Sequence, residues 1–194
     1  MSAVMTENWL SRHRITVDEY YKMAEVGILD EDSRVELIEG EIIDMAPIGL
    51  PHLSVVDRLN RLFVLATGES AIVRIQGTIR LSDFTAPQPD LVLLKPRDDF
   101  YATRLANAGD ILLIIEVSDS SLRYDRHIKV PLYARYGVSE VWIMDLVNGC
   151  AHFFRDLVNG TYQQTSSTAR PGITPIPGLT GVTVNLAEVV GSTA

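Results

Sequence analysis

Residues 111–145 read "ILLIIEVSDSSLRYDRHIKVPLYARYGVSEVWIMD". An apolar run of the kind that becomes a buried strand closes on a carboxylate, Glu116. A helical pattern follows to Gly137, and "SEVWIMDL" is a second apolar strand. A strand–helix–strand unit of this length joins parallel neighbours, and such crossovers are right-handed. The unit therefore commits the chain to an α/β (α+β) fold with a central mixed β-sheet flanked by helices.

The flanking segments fit around that centre. In "TVDEYYKMAEV", Thr16 and Glu19 form a capping-box pattern that starts a short helix. "RVELIEGEIIDMA" alternates around Glu39-Gly40 and predicts an N-terminal hairpin. "HLSVVDRLNRLFVLATG" sets Leu53, Val56, Leu59, Phe63 and Ala66 on one helical stripe, with Gly68 as its stop. "AIVRIQGTIRL" predicts one strand or a tight pair, and "PDLVLLKP" a short buried strand between prolines. Residues 96–109 predict an irregular loop. "CAHFFRDLVNGTYQQT" predicts a hairpin turning at Asn159-Gly160, "RPGITPIPGL" a proline-rich wrap, and "NLAEVV" a terminal helical turn.

A length of 194 residues suits one domain, expected over 15–194 after a flexible segment at 1–14. The net charge of −8 argues against loose, charge-driven adhesion to nucleic acid, though not against a local basic groove. The single cysteine, Cys150, excludes an intrachain disulfide and a cysteine metal cluster, and suits a reducing cytoplasm. No signal peptide is visible, and no apolar run is long enough for a bilayer, so a cytoplasmic protein away from membranes is expected.

Asp90 opens one predicted strand and Glu116 closes the next. On neighbouring strands the two carboxylates can share one space, and hard divalent cations such as Mg²⁺ take oxygen ligands of this kind. The alternative is two strand-end carboxylates facing solvent. Lysine occurs only three times in the chain, at 22, 95 and 129. Lys129 shares a helical face with Leu132, Tyr133 and Tyr136, the face that should pack on the sheet. A buried ammonium needs partners, and Asp90 and Glu116 are candidates; otherwise Lys129 snorkels to water. Pro131 must sit in the helix's first turn or kink it. Asp125, just before Arg126, is a natural N-cap. Arg58, Arg61, Arg74, Arg80, Arg123, Arg126 and Arg135 form either a phosphate-facing surface or a solvated scatter.

"PDLVLL" together with "LLIIEVSDSSLRYDRHIKVPLYARYGVSEVWIMD" resembles the Uma-two family of bacterial endonucleases, within the PD-(D/E)XK nuclease superfamily. "RVELIEGEIIDMAPIGLPH" and "PGLTGVTVNLAEVV" extend the resemblance over roughly residues 15–190. It implies a restriction-endonuclease-like core and a metal-dependent endonuclease that hydrolyses DNA phosphodiester bonds. By this resemblance Asp90 and Glu116 are the acidic pair, binding Mg²⁺ or Mn²⁺ with the Val117 backbone carbonyl. Ser118 stands where the simplest pattern has lysine, and Lys129 takes that role from the following helix. The resemblance also points to Glu36, ahead of Glu39, and to His52 as supporting residues. Ser118 and Ser121 could donate to a phosphate or simply close the turn. A homodimer would suit two-strand cleavage. The competing reading is a catalytically inactive nuclease fold that serves as a DNA-binding or assembly module.

Overall fold

A computed structural model describes residues 12–30 and 32–190. Most of the expected flexible segment, 1–11, lies outside the described residues. At its end Arg14 donates to the Glu39 carbonyl (2.9 Å) and lies over the Phe84 ring.

Helix α1 (Val17–Glu25) begins at Thr16 with a complete capping box. Strands β1 (Val35–Ile38) and β2 (Glu41–Asp44) form the N-terminal hairpin, turning through Glu39 and Gly40 at φ 51° and 86°. Helix α2 (Leu50–Thr67) ends at Gly68. Its buried stripe contains His52, Val55, Val56, Leu59, Phe63 and Thr67. Leu53 is exposed, contrary to the apolar periodicity. The true stripe starts on a polar residue, His52, which a count of apolar side chains passes over.

Six strands make the central sheet in the order β3-β4-β5-β6-β7-β8. They are β3 (Ile72–Ile75), β4 (Leu91–Leu94), β5 (Ile111–Ser118), β6 (Val141–Asp145), β7 (Cys150–Val158) and β8 (Thr161–Thr168). Only β5 and β6 run parallel, so the sheet is mixed as expected. The segment "AIVRIQGTIRL" pairs only through Ile75, because Gln76 takes φ 47° and leaves the ladder. The β7–β8 turn falls at Asn159-Gly160, both with positive φ. The proline-rich wrap contains an unforeseen strand, β9 (Ile173–Pro175), paired with β10 (Thr183–Asn185) ahead of α5 (Ala187–Val190).

Strand alternation separates two cores. Leu91, Leu93, Leu113, Ile115, Val117, Trp142 and Met144 pack on α2 with Val184 and Leu186. Val92, Ile114, Val141 and Ile143 face the opposite layer with Val130, Tyr133 and Ala134. Glu116 and Ser118 share the parity of Ile114, so this second layer receives them.

The helix of that layer is interrupted. Helix α3 (Leu122–Tyr124) passes into a π-helical turn (Asp125–Lys129) and then into α4 (Val130–Arg135). The Val130 N–H reaches back five residues to the Asp125 carbonyl. Pro131 explains the widening: it has no N–H for the preceding turn, and its ring crowds the carbonyl four residues back. Residues 126–128 are exposed, so the released carbonyls meet water. Asp125 is thus inside the helix and is not its N-cap, a correction to the sequence expectation.

Candidate active site

Adjacent antiparallel strands β4 and β5 carry the acidic pair. Asp90 immediately precedes β4, and its Oδ2 accepts from the Val117 N–H at 2.8 Å. The Asp90 N–H in turn donates to Glu116 Oε2 at 3.3 Å. These reciprocal bonds lock the two residues together. In β5 the Ile114 N–H bonds to Glu140 and the Ser118 carbonyl accepts from Leu146, so these even residues direct their main-chain groups toward β6. The main-chain groups of Val117 therefore point to the β4 side, beside Asp90.

Lys129 descends from the π turn onto this pair. Its Nζ lies 3.0 Å from Glu116 Oε1 and 3.4 Å from Glu36 Oε2. Lys129 is 3 % exposed, and Glu36 and Glu116 are each 2 % exposed. Tyr133, one turn on, donates to Glu116 Oε1 at 2.5 Å. Glu36, on β1, also accepts from the Tyr124 hydroxyl (3.0 Å) and the Gln88 N–H (3.1 Å). His52 arrives from the opposite layer, with Nε2 3.2 Å from Asp90 Oδ2 and a buried Nδ1 without a partner. Asp125 accepts from Ser118 (2.7 Å) and Ser121 (2.6 Å). Ser118 is therefore committed to a protein partner instead of an open position. The carboxylates, His52, Val117, Ser121, Tyr124 and Lys129 line one cavity of about 240 Å³, which Ser118 and Tyr133 reach only through Asp125 and Glu116.

Eight sequence-predicted site residues thus reach one neighbourhood: Asp90, Glu116, Val117, Lys129, Glu36, His52, Ser118 and Asp125. Glu39 does not; it is exposed at the hairpin turn and pairs with Arg135 at 3.2 Å. The phenols of Tyr124 and Tyr133 were not foreseen as site groups. Their signal was the four-residue spacing of Tyr133 from Lys129, read only as shared packing.

Charge in the pocket is unbalanced. Burial pushes the Glu116 carboxyl up to about 8, with Asp125 and Asp90 adding to the rise and Lys129 and Tyr133 opposing it. Burial likewise raises Asp125, against Lys129 and the two serines. Burial also works against ionised Asp90, but His52, the Val117 N–H and Lys129 prevail and hold it below its ordinary value. Lys129 is desolvated too, yet Glu116, Glu36, Asp125 and Asp90 raise its pKa, so it stays an ammonium. Four carboxylates surround this one ammonium, and the acidic pair offers only hard oxygen donors. That donor set and that negative excess fit a divalent cation of the Mg²⁺ or Mn²⁺ type.

A mixed sheet whose acidic strands meet a lysine-bearing helix has the layout of a nuclease-like α/β protein. The chain belongs to the Uma2 family, described as "Putative restriction endonuclease", whose model matches residues 17–187. A solved structure, that of a "putative nuclease belonging to DUF820" from Anabaena variabilis, is similar at a TM-score of 0.72. The identity is 17 %, over 91 % of this chain and 98 % of that one, so the likeness is one of fold. No curated protein matches the sequence. Among the described residues, no helix is long and apolar enough to cross a membrane.

Proposed function

We propose that the protein is a metal-dependent endonuclease acting on DNA phosphodiester bonds, with Asp90, Glu116 and Lys129 as its catalytic residues. The observation that carries this reading is the Lys129 ammonium, which reaches Glu116 at 3.0 Å from a helix although Ser118 occupies the in-strand position. When bound by Asp90, Glu116 and the Val117 carbonyl, Mg²⁺ or Mn²⁺ supplies Lewis acidity and a water of lowered pKa. Asp90, kept ionised by His52 and the Val117 N–H, is the firm anionic ligand. Lys129 holds its charge in a dry setting and offers it where negative charge builds on the phosphate. Glu36 and Tyr133 fix the approach of that ammonium and of Glu116, while His52 steadies Asp90 through its Nε2.

The test is a cleavage assay on supercoiled, linear and single-stranded DNA with Mg²⁺ or Mn²⁺, comparing wild type with Asp90→Ala and Lys129→Ala. Both variants should lose cleavage by about 10²–10³-fold, the usual loss when a positioned electrostatic group is removed. Equal cleavage by all three proteins refutes the assignment. One observation favours the second reading, a non-catalytic DNA-binding or assembly module. Both Glu116 oxygens already accept hydrogen bonds or an ion pair from protein groups. Under that reading, calorimetry finds no Mn²⁺ binding that Glu116→Gln abolishes.

A further inference from the structure

On β6 and β7, the next two strands after β5, the same face of the sheet carries a group that the endonuclease reading leaves unused. Asp145 ends β6 and pairs across the ladder with Cys150, which opens β7; His152 follows two residues on and so shares their face. Asp145 and His152 are buried, whereas Cys150 is only partly so. His152 Nε2 lies 3.3 Å from Asp145 Oδ2 and 3.5 Å from Cys150 Sγ. Cys150 Sγ lies 3.8 Å from the same Asp145 oxygen.

Those spacings are close to the edges of a coordination tetrahedron. With zinc bonds of about 2.3 Å to sulfur and about 2.0–2.2 Å to nitrogen and oxygen, ligand atoms stand about 3.3–3.7 Å apart, a range that holds the two His152 spacings and falls just short of the Cys150–Asp145 one. The surroundings match as well. His152 Nδ1 is bonded to Ser167 Oγ at 2.6 Å, the kind of outer contact that fixes a ligand's ring and tautomer. Asn148 donates its main-chain N–H to Asp145 Oδ1 (2.9 Å) and its side-chain amide to Oδ2 (2.7 Å), setting the carboxylate's orientation. An ionised carboxylate has lone pairs left after both bonds.

We infer that Asp145, Cys150 and His152 form a second metal site, one that takes a single Zn²⁺ ion with its fourth position open to solvent. Thiolate and imidazole donors select borderline-soft ions, in contrast to the all-oxygen set at Asp90 and Glu116. The ion ties the end of β6 to the start of β7. Asp145 also lies beside Ser118 in the parallel ladder, so the tie abuts the strand that carries Glu116. Three protein ligands and one open position are the pattern of reactive zinc centres, whereas purely structural ones close all four. Binding deprotonates Cys150 and releases a proton.

Co²⁺ titration of chelator-stripped full-length protein tests the site without reference to DNA cleavage. A thiolate-to-Co²⁺ charge-transfer band should grow to saturation at one ion per chain, disappear on adding Zn²⁺, and resist Mg²⁺. Cys150→Ser should abolish the band, and Ser167→Ala should weaken binding by about 10–100-fold, the usual cost of losing an outer-shell partner. Glu116→Gln should leave the band intact, which separates this site from the acidic pair. Circular dichroism checks that each variant is folded. A folded wild type without a saturable band, or an equal band in folded Cys150→Ser, overturns the inference.

Discussion

Replacing Lys129 by methionine keeps the bulk of the side chain and deletes its charge. The ammonium stands 3.0 Å from Glu116 and 3.4 Å from Glu36. At an effective dielectric of about 20, each of those attractions is worth roughly 5 kcal/mol before desolvation is counted, the Glu116 one only once its carboxyl ionises above about pH 8. Breaking a buried pair by removing one partner costs a net of about 3–5 kcal/mol, because the remaining carboxylates stay desolvated and uncompensated. The loss should depend on pH. Burial has already raised Glu116 to about 8 from an ordinary 4.5, and loss of Lys129 removes the main opposing influence. A carboxyl raised in the folded state stabilises fully below its unfolded pKa and loses that contribution as pH rises through the folded one. In Lys129→Met the folded pKa moves higher still, so the penalty relative to wild type grows as pH climbs past about 8. Urea unfolding at about pH 6 and about pH 9, followed by tryptophan fluorescence and circular dichroism, measures it. Combining Lys129→Met with Glu116→Gln should recover about 1–3 kcal/mol relative to additivity. A penalty below about 1 kcal/mol that is the same at both pH values would refute the buried-network argument.

Two further outcomes follow from other parts of the chain. Asp110 takes a bidentate contact from Arg104, at 2.6 and 3.0 Å, and accepts the Asn107 N–H; these partners hold its carboxyl below the ordinary 3.8. Its contribution is therefore present above pH 3.8 and lost as pH falls below that value, so Asp110→Asn should flatten the acid limb of an unfolding titration while costing about 1 kcal/mol or less at neutral pH. Gly40 sits at φ 86°, where an added Cβ would lie 2.6 Å from the Arg14 Cβ. Gly40→Ala should lose about 1–2 kcal/mol for the left-handed backbone alone, read as a lower urea midpoint.

The acidic pair was legible because Asp90 and Glu116 sit at the ends of two short apolar runs, and such runs leave few pairings open. Lys129 was legible through its four-residue spacing to Tyr133, which marks a common face. The π turn was not, since its cause is a long-range choice: Pro131 could have been absorbed in a first turn, as it commonly is. Asp125 followed from the same choice. Read as a cap because it precedes the periodic residues, it lies within a longer helix, where Ser118 and Ser121 reach it. Asp145, Cys150 and His152 were invisible as a group because no sequence spacing announces the β6–β7 register that unites them. The residues of "GTIRL" failed as a strand for a backbone reason, the positive φ of Gln76. Ile79 is nonetheless fully buried, so the apolar signal was sound and only the pairing was not.

The π turn also frees the length of this helix from the company its buried charges keep. It holds one residue more than an α-helical turn would over the same path. Deleting a single residue from the exposed stretch 126–128 would let the turn close as ordinary α-helix, with Lys129 and Tyr133 still one turn apart. Everything upstream would keep nearly its present phase about the axis, because the π turn takes up one extra residue over the path of a single α-helical turn, so Asp125 stays beside Ser118. The chain can therefore be shortened here without parting the ammonium from Glu116 or Asp125 from its serines. A one-residue difference in this helix is absorbed in the exposed turn and leaves the pocket's charge as it stands.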